Sequence, residues 1–145
     1  MRTSGSLTIG ERVLTVAPEQ SFGWYDRQAG FGAPANWTWF QLHFLGSLIK
    51  ASIWACDLFV LDYNLKADWE NTWTSYKTNI TYSQSWQLVF ENGDRLEVES
   101  LRPYQETYGP NAIGDSVYAG TILDRGSFFG QRTTYGLVEM ITISA

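Results

Sequence analysis

The stretch "SWQLVFENGDRLEVES", Ser85 to Ser100, decides the fold class. Its two halves alternate apolar and polar residues with a period of two, the pattern of half-buried strands. Between them, Asn92-Gly93 is a dipeptide suited to a type I′ hairpin turn, because both residues tolerate positive φ. Such a turn sets Val89 opposite Leu96 on one face, and Phe90 opposite Arg95 on the other. The first face then reads as buried and the second as half-wetted.

Outward from this hairpin the chain keeps the same character. Short runs of Thr, Val, Ile and aromatic residues are divided by Gly, Pro, Asn and Asp. Strands are expected near Arg12–Val16, Phe22–Gln28, Trp37–Phe44, Ile49–Cys56, Phe59–Leu65 and Trp73–Thr81. Further strands follow near Ser85–Phe90, Arg95–Ser100, Val117–Leu123 and Thr134–Ile143. No ten-residue window has helical periodicity. The run "LGSLIKASIWACDLF" comes nearest, but its β-branched and aromatic residues favour strands. Eight to ten strands with short turns make an antiparallel barrel or sandwich, and a barrel can hold a small ligand. The chain has 145 residues, enough for a single domain spanning 1–145. "RPYQETYGPNAIGD" is its longest irregular segment.

Composition narrows the function. Charged residues make up 17% and aromatics 16%, with seven Trp, eight Tyr and eight Phe. Such a chain either buries much aromatic surface or lines a cavity with it. The net charge is −5 and no Lys/Arg run occurs, which argues against a nucleic-acid partner. No apolar stretch is long enough for a membrane span, and "MRTSGSLTIG" does not read as a signal peptide. Mature secreted chains lack one too, so this leaves the location open. One cysteine, Cys56, excludes an internal disulfide and reads as a small core residue. With His43 as the sole histidine, no metal site is expected. No nucleotide loop or nucleophile elbow is present.

Three constellations could carry chemistry. In "SFGWYDRQAG", Trp24, Asp26 and Gln28 share one face of a strand. Asp26 is then either a general acid made less acidic by an apolar wall, or a structural carboxylate paired with a neighbouring Arg or capping a turn near Gly30. In "NWTWFQLHF", Trp37, Trp39, Gln41 and His43 alternate onto one face, while Thr38, Phe40, Leu42 and Phe44 take the other. Both faces are apolar enough to be covered. The Trp/Gln/His face suits either a ligand wall or a Trp-rich core holding a hydrogen-bonded histidine. In "PYQETYG", Glu106 sits among tyrosines, either as a tuned acid or as a solvated loop carboxylate. Two N-glycosylation sequons occur, at Asn36 and Asn79.

The order of these motifs resembles the AttH/CrtC-like lipocalin family, which includes carotenoid 1,2-hydratases, kievitone hydratase and lipocalin-like Diels–Alderases. "WYDRQAG" followed by "NWTWFQLHF" is similar to W-x-D-x-Q-x-G … W-x-W-F-x-L. "YQETYG" looks like the family's acidic-aromatic segment, and "VYAGTILDRGSFFGQRTTYGLVEM" like its closing Y-x-G, glycine turn and G-x-x-E. The likeness runs from about Ser4 to Met140. It implies an antiparallel lipocalin-like β-barrel and cofactor-free chemistry on an apolar small molecule, a terpenoid or polyketide. By the same likeness Asp26 is the expected proton donor; from their own surroundings, Glu106 and His43 are expected as secondary catalytic groups. Trp24, Gln28, Trp37, Trp39, Gln41 and Tyr118 are the expected substrate-binding residues. One departure is Ala29, where many members carry Trp. The family usually has two β domains, and this chain resembles the second. The chain is then either an excised half, with an N-terminal β domain or second chain as partner, or a stand-alone version. Secretion, with Asn36 and Asn79 glycosylated, would suit the fungal branch. Three functions follow: a hydratase, isomerase or cyclase; a non-catalytic binding barrel; or a structural half.

Overall fold

The computed structural model describes residues 3–21, 23, 25, 36–44, 50–56, 63–110 and 116–142. The chain divides into two compact units, Met1–Ala33 and Pro34–Ala145. In the first, β1 (Gly5–Ile9) and β2 (Arg12–Val16) form a hairpin that pairs Leu7 with Leu14 and Ile9 with Arg12. Gly10 occupies its turn with φ 59°. Leu7, Ile9, Val13 and Leu14 all remain exposed. A single 3-10 turn, Pro18–Gln20, follows. β1 escaped the sequence reading because only Leu7 and Ile9 mark its alternation. The strand expected over Phe22–Gln28 lies outside the described residues.

The second unit is built on one antiparallel sheet. Its strands are β3 (Asn36–Phe44), β4 (Lys50–Cys56), β5 (Tyr63–Ala67), β8 (Ser85–Phe90), β9 (Arg95–Ser100), β11 (Val117–Phe128) and β12 (Gln131–Thr142). They lie in the order β4-β3-β12-β11-β9-β8-β5, and β10 (Glu106–Thr107) pairs with β11. A small separate ribbon joins β6 (Thr72–Thr74) to β7 (Thr81–Ser83). This is the expected lipocalin-like architecture, with the sheet curled into a half-barrel. Among the described residues no helix is long and apolar enough to cross a membrane.

Every second residue of the large sheet enters one core. Phe40, Leu42 and Phe44 meet Ala51, Ile53, Leu88, Leu96, Val98, Ile122, Val138 and Met140 there, with the ribbon's Tyr82 packed against them. Each fully buried Leu or Ile side chain contributes about 1.5–3 kcal/mol by leaving water. Two glycines are needed where strands close up. A Cβ on Gly126 would overlap the Arg95 carbonyl oxygen, and one on Gly136 the Gln41 carbonyl oxygen. Gly126 also has φ 133° and lies within the register shift of β11 against β12.

Two expectations need correction. The Ser85–Ser100 hairpin is in register Leu88↔Leu96 and Val89↔Arg95, one residue away from the type I′ arrangement. Of Asn92 and Gly93, only Gly93 has positive φ, at 87°. Gly93 N–H donates to Phe90 O and Phe90 N–H to Asp94 O, which adds a residue to the turn. The shift puts buried Leu96 beside buried Leu88 rather than beside half-buried Val89, so the core sets the register. The strand expected over Trp73–Thr81 is instead β6 and β7, separated by the turn Tyr76–Thr78. Ser75 Oγ accepts the N–H groups of Lys77 and Thr78 there, an ST turn that diverts the chain from an extended path.

Candidate active site

The face of the sheet opposite the core carries the one expected constellation that the described residues assemble. Alternation along β3 turns Trp37, Trp39, Gln41 and His43 to this face. β4 and β12 flank it on either side. Directly opposite residues share a face, so the ladder fixes the rows. Trp54–Trp39–Glu139, Ser52–Gln41–Leu137 and Lys50–His43–Tyr135 each span the three strands. Pairing of β12 with β11 adds Ala119, Thr121 and Leu123 to the same three rows.

One end of this face is aromatic. Trp54 lies between Trp37 and Trp39, with ring centroids 6.2 and 5.9 Å away. Trp39 Nε1–H donates to Ser52 Oγ at 2.7 Å, which fixes the indole plane. Trp37 Nε1–H is buried and has no hydrogen-bond partner among the described residues. The other end is polar. Lys50 Nζ donates to His43 Nδ1 at 2.5 Å, and the Tyr135 ring stacks on the imidazole at 5.4 Å. An ammonium can only donate, so Nδ1 must accept and the ring proton sits on Nε2. Burial, and then the adjacent Lys50 charge, lower the His43 pKa from 6.5 to about 4. His43 is therefore a neutral imidazole at pH 7 and a hydrogen-bond donor through Nε2. Trp39, Gln41 and His43 are each under a tenth exposed, whereas Lys50, Ser52 and Trp54 are open. The row is thus buried along β3 and accessible along β4.

Glu106 and Tyr118 lie elsewhere. Their strands pair them, and both side chains belong to the core side of the sheet. Glu106 accepts hydrogen bonds from Thr78 Oγ1 at 2.6 Å, Tyr82 OH at 2.8 Å and Ser75 Oγ. Burial and this bond to Glu106 raise the Tyr82 phenol well above its usual pKa. Tyr118 is fully buried. Its hydroxyl lies 2.6 Å from Ser100 Oγ, 3.0 Å from Gln84 Oε1 and 2.9 Å from the Arg102 carbonyl. The two tyrosine rings are 5.0 Å apart. This network ties β7, β10 and β11 together and is separate from the Trp/His face. Of the sequons, Asn79 is exposed in the β6–β7 connection with φ 61°, and Asn36 is half-buried at the start of β3. Trp24, Asp26 and Gln28 lie outside the described residues.

Sequence reasoning missed Trp54, Lys50, Ser52, Tyr135 and Glu139. The period-two pattern of "TYGLVEM" could have found Tyr135 and Glu139, but not the strand they pair with. It also missed Asp124, a carboxylate only 3% exposed on the core side of β11. Several clefts open among the described residues, one of about 640 Å³ being bordered by Arg95, Asp124, Arg125 and Arg132. A larger one of about 780 Å³ lies against β5, β8 and β9, bordered by Lys66, Trp69, Gln87, Glu97, Glu99 and Arg125, and by none of the expected site residues. Another of about 410 Å³ reaches the Asn36–Thr38 end of β3 and is bordered by Trp37, Trp69, Tyr82 and Met140. Among the described residues no cluster of His, Cys, Asp and Glu could hold a metal ion.

Comparison with known proteins gives a consistent set of relatives. The chain is 32% identical over 163 aligned positions to kievitone hydratase of Fusarium solani subsp. phaseoli, covering 97% of this chain and 46% of that protein. It is 27% identical to the dehydratase asqC of Emericella nidulans, covering 96% and 47% respectively. The crystal structure of kievitone hydratase from Nectria haematococca superimposes with a TM-score of 0.81 at 30% identity, over 96% of this chain and 49% of that one. A structure assigned as an AttH of Nitrosomonas europaea shares the fold, with a TM-score of 0.54 at 14% identity. No family model matches the chain. The chain spans about half the length of the curated relatives it matches.

Proposed function

This chain belongs to the AttH-like lipocalin family, and we propose that it serves a hydro-lyase, adding water across a carbon–carbon double bond of an apolar terpenoid or polyketide or, in reverse, eliminating water from the alcohol to form that bond. The observation that carries this reading is the Trp37–Trp54–Trp39 wall on β3 and β4, which leads to the neutral His43 and its Lys50 partner. A hydratase and a dehydratase among the relatives agree with it.

Hydration of an alkene passes through a developing carbocation. Aromatic faces attract positive charge and exclude competing water, which suits the tryptophan wall. The buried Trp37 N–H gains a hydrogen bond if a ligand oxygen reaches it, and leaving such a donor unmet costs about 1–3 kcal/mol. His43 Nε2–H and Gln41 would hold the oxygen that enters or leaves. Asp26 is proposed as the acid that protonates carbon, and Trp24 and Gln28 as substrate-binding residues, all three outside the described residues. Glu106 and Tyr118 are given supporting roles that brace the barrel end. The proposed chemistry needs no cofactor.

The coverage favours a second reading, in which this chain supplies one half of a site and a second β domain supplies the rest. The exposed Leu7, Ile9, Val13 and Leu14 of the β1–β2 hairpin suit such a neighbour.

The test is incubation with kievitone and with linear terpenoid alkenes in H₂¹⁸O, read by mass spectrometry. Incorporation of labelled water by wild type, lost in Trp39→Ala, supports the enzyme. Tight binding without any product would favour the half-site reading, and neither binding nor product would remove both.

A further inference from the structure

We propose that the cleft between β9, β11 and β12 binds a phosphate group carried on an organic molecule. This site is independent of the tryptophan face and of the hydro-lyase reading. Three of the chain's ten basic residues, Arg95, Arg125 and Arg132, border a single opening of about 640 Å³. Asp124 is the one carboxylate on its lining, and it is buried on the core side of β11. Three guanidiniums thus gather against one carboxylate in a chain of net charge −5.

The ladder explains the convergence. Arg125 is opposite Glu97 and Gly126 is opposite Leu96, so Arg95 comes next, beside Ser127. On its other side Ser127 pairs with Arg132. Arg95 and Arg132 therefore flank β11, and Arg125 stands two residues along it. The opening coincides with the register shift of β11 against β12 between Leu123 and Ser127. Gly126 lies within that shift at φ 133°, and the Arg95 carbonyl oxygen takes the space a Cβ would need. Such irregularities re-aim side chains, here three arginines toward one bare stretch of backbone.

Nearby carboxylates do not neutralise them. Asp94 Oδ1 accepts Ser127 Oγ at 2.9 Å, while Oδ2 accepts Asn92 Nδ2 at 2.8 Å and the Phe129 N–H at 2.6 Å. Glu97 Oε1 accepts Gln87 Nε2 at 2.7 Å, and Glu97 borders the larger cleft instead. All three arginines are exposed, and among the described residues none of their guanidiniums has an ion-pair or hydrogen-bond partner. A guanidinium offers a planar fork of N–H donors that matches two phosphate oxygens. The lining holds no aromatic ring, so the apolar ligand of the tryptophan face does not suit it. Its volume suits a small organic molecule rather than a bare ion.

The test titrates ¹⁵N-labelled protein with inorganic phosphate and with phenyl phosphate at constant ionic strength. A parallel arm sediments the protein with phosphatidylcholine vesicles containing phosphatidic acid. Saturable shifts of the Gly93, Gly126 and Ser127 amides are expected, larger in affinity for phenyl phosphate than for inorganic phosphate. Arg95→Gln and Arg132→Gln should each weaken binding about tenfold or more. Arg102→Gln, at an exposed arginine away from the cleft, should leave it unchanged. Tighter binding of phenyl phosphate assigns the group to a soluble ester. Vesicle binding that the same two variants abolish, without soluble binding, assigns it to a lipid head group, and either result supports the site. No binding in any arm overturns the proposal, as does binding that Arg95→Gln and Arg132→Gln leave within twofold of wild type. Inorganic phosphate bound more tightly than phenyl phosphate, without vesicle binding, also overturns it. If the Gln variants fail to fold, Arg132→Lys decides: it keeps the charge but loses the fork, and an unchanged affinity contradicts the site.

Discussion

His43 offers a sharp test of the site's electrostatics because it is the chain's sole histidine. Its pKa falls from 6.5 to about 4, and burial is the larger cause, ahead of Lys50. The drop corresponds to roughly 3 kcal/mol against the imidazolium. Removing the ammonium in Lys50→Met removes the smaller share, and solvent already screens part of it. The His43 pKa is therefore expected to rise by about one unit, equal to about 1.4 kcal/mol, and to stay below the free value. The assay is an NMR titration of the one imidazole Hε1 signal in untagged protein. The sign extends to stability. The folded value lies below the unfolded one, so the unfolded chain binds the proton first. Stability present above about pH 6.5 is lost as the pH falls toward 4, and then levels off. With screening, about 1–2 kcal/mol is expected, seen as the difference between wild type and His43→Gln in urea melts across that window. A wild-type titration near 6.5 would refute the burial, and no change on Lys50→Met would refute the Lys50 contact.

Three other perturbations probe the frame around the site. Gly126→Ala places a Cβ against the Arg95 carbonyl at φ 133° and should cost about 1–3 kcal/mol in urea melts; a neutral result would mean that the β9–β11 approach is looser than described. Glu106→Gln weakens the bonds from Ser75, Thr78 and Tyr82 and should cost about 1–3 kcal/mol, lowering Tm without changing ligand affinity. Asp94 is held below its usual pKa by the Phe129 N–H, and then by Asn92 and Ser127. Its contribution is present above the unfolded carboxylate value and is lost as the pH falls through the lower folded value, so Asp94→Asn should flatten the wild-type acid melt in that range.

The strands that make the core were legible where alternation was complete. β8 and β9 fall where "SWQLVF" and "RLEVES" place them, and β3 presents the two faces that its nine residues imply. The hairpin register was not legible, because turn chemistry and core pairing disagreed by one residue and the pairing of Leu88 with Leu96 won. The break in Trp73–Thr81 depends on Ser75 diverting its own backbone, which strand propensity does not register. The site was half legible. Trp37, Trp39, Gln41 and His43 announce themselves by period. Their neighbours Tyr135 and Glu139 come from a strand almost a hundred residues later, and only the ladder brings them alongside. Glu106 drew attention by its tyrosine neighbours in the sequence, yet the hydroxyls that engage it belong to Ser75, Thr78 and Tyr82.

The most direct test of the central claim is to map a ligand onto the seven indole N–H signals of ¹⁵N-tryptophan-labelled protein as kievitone is added. The account predicts that Trp37, Trp39 and Trp54 shift together, with the Trp37 signal moving as it gains a hydrogen bond, while the core residue Trp86 stays in place. Saturable shifts confined to Trp69 or Trp86, with the three tryptophans of the β3–β4 face unmoved, would contradict it.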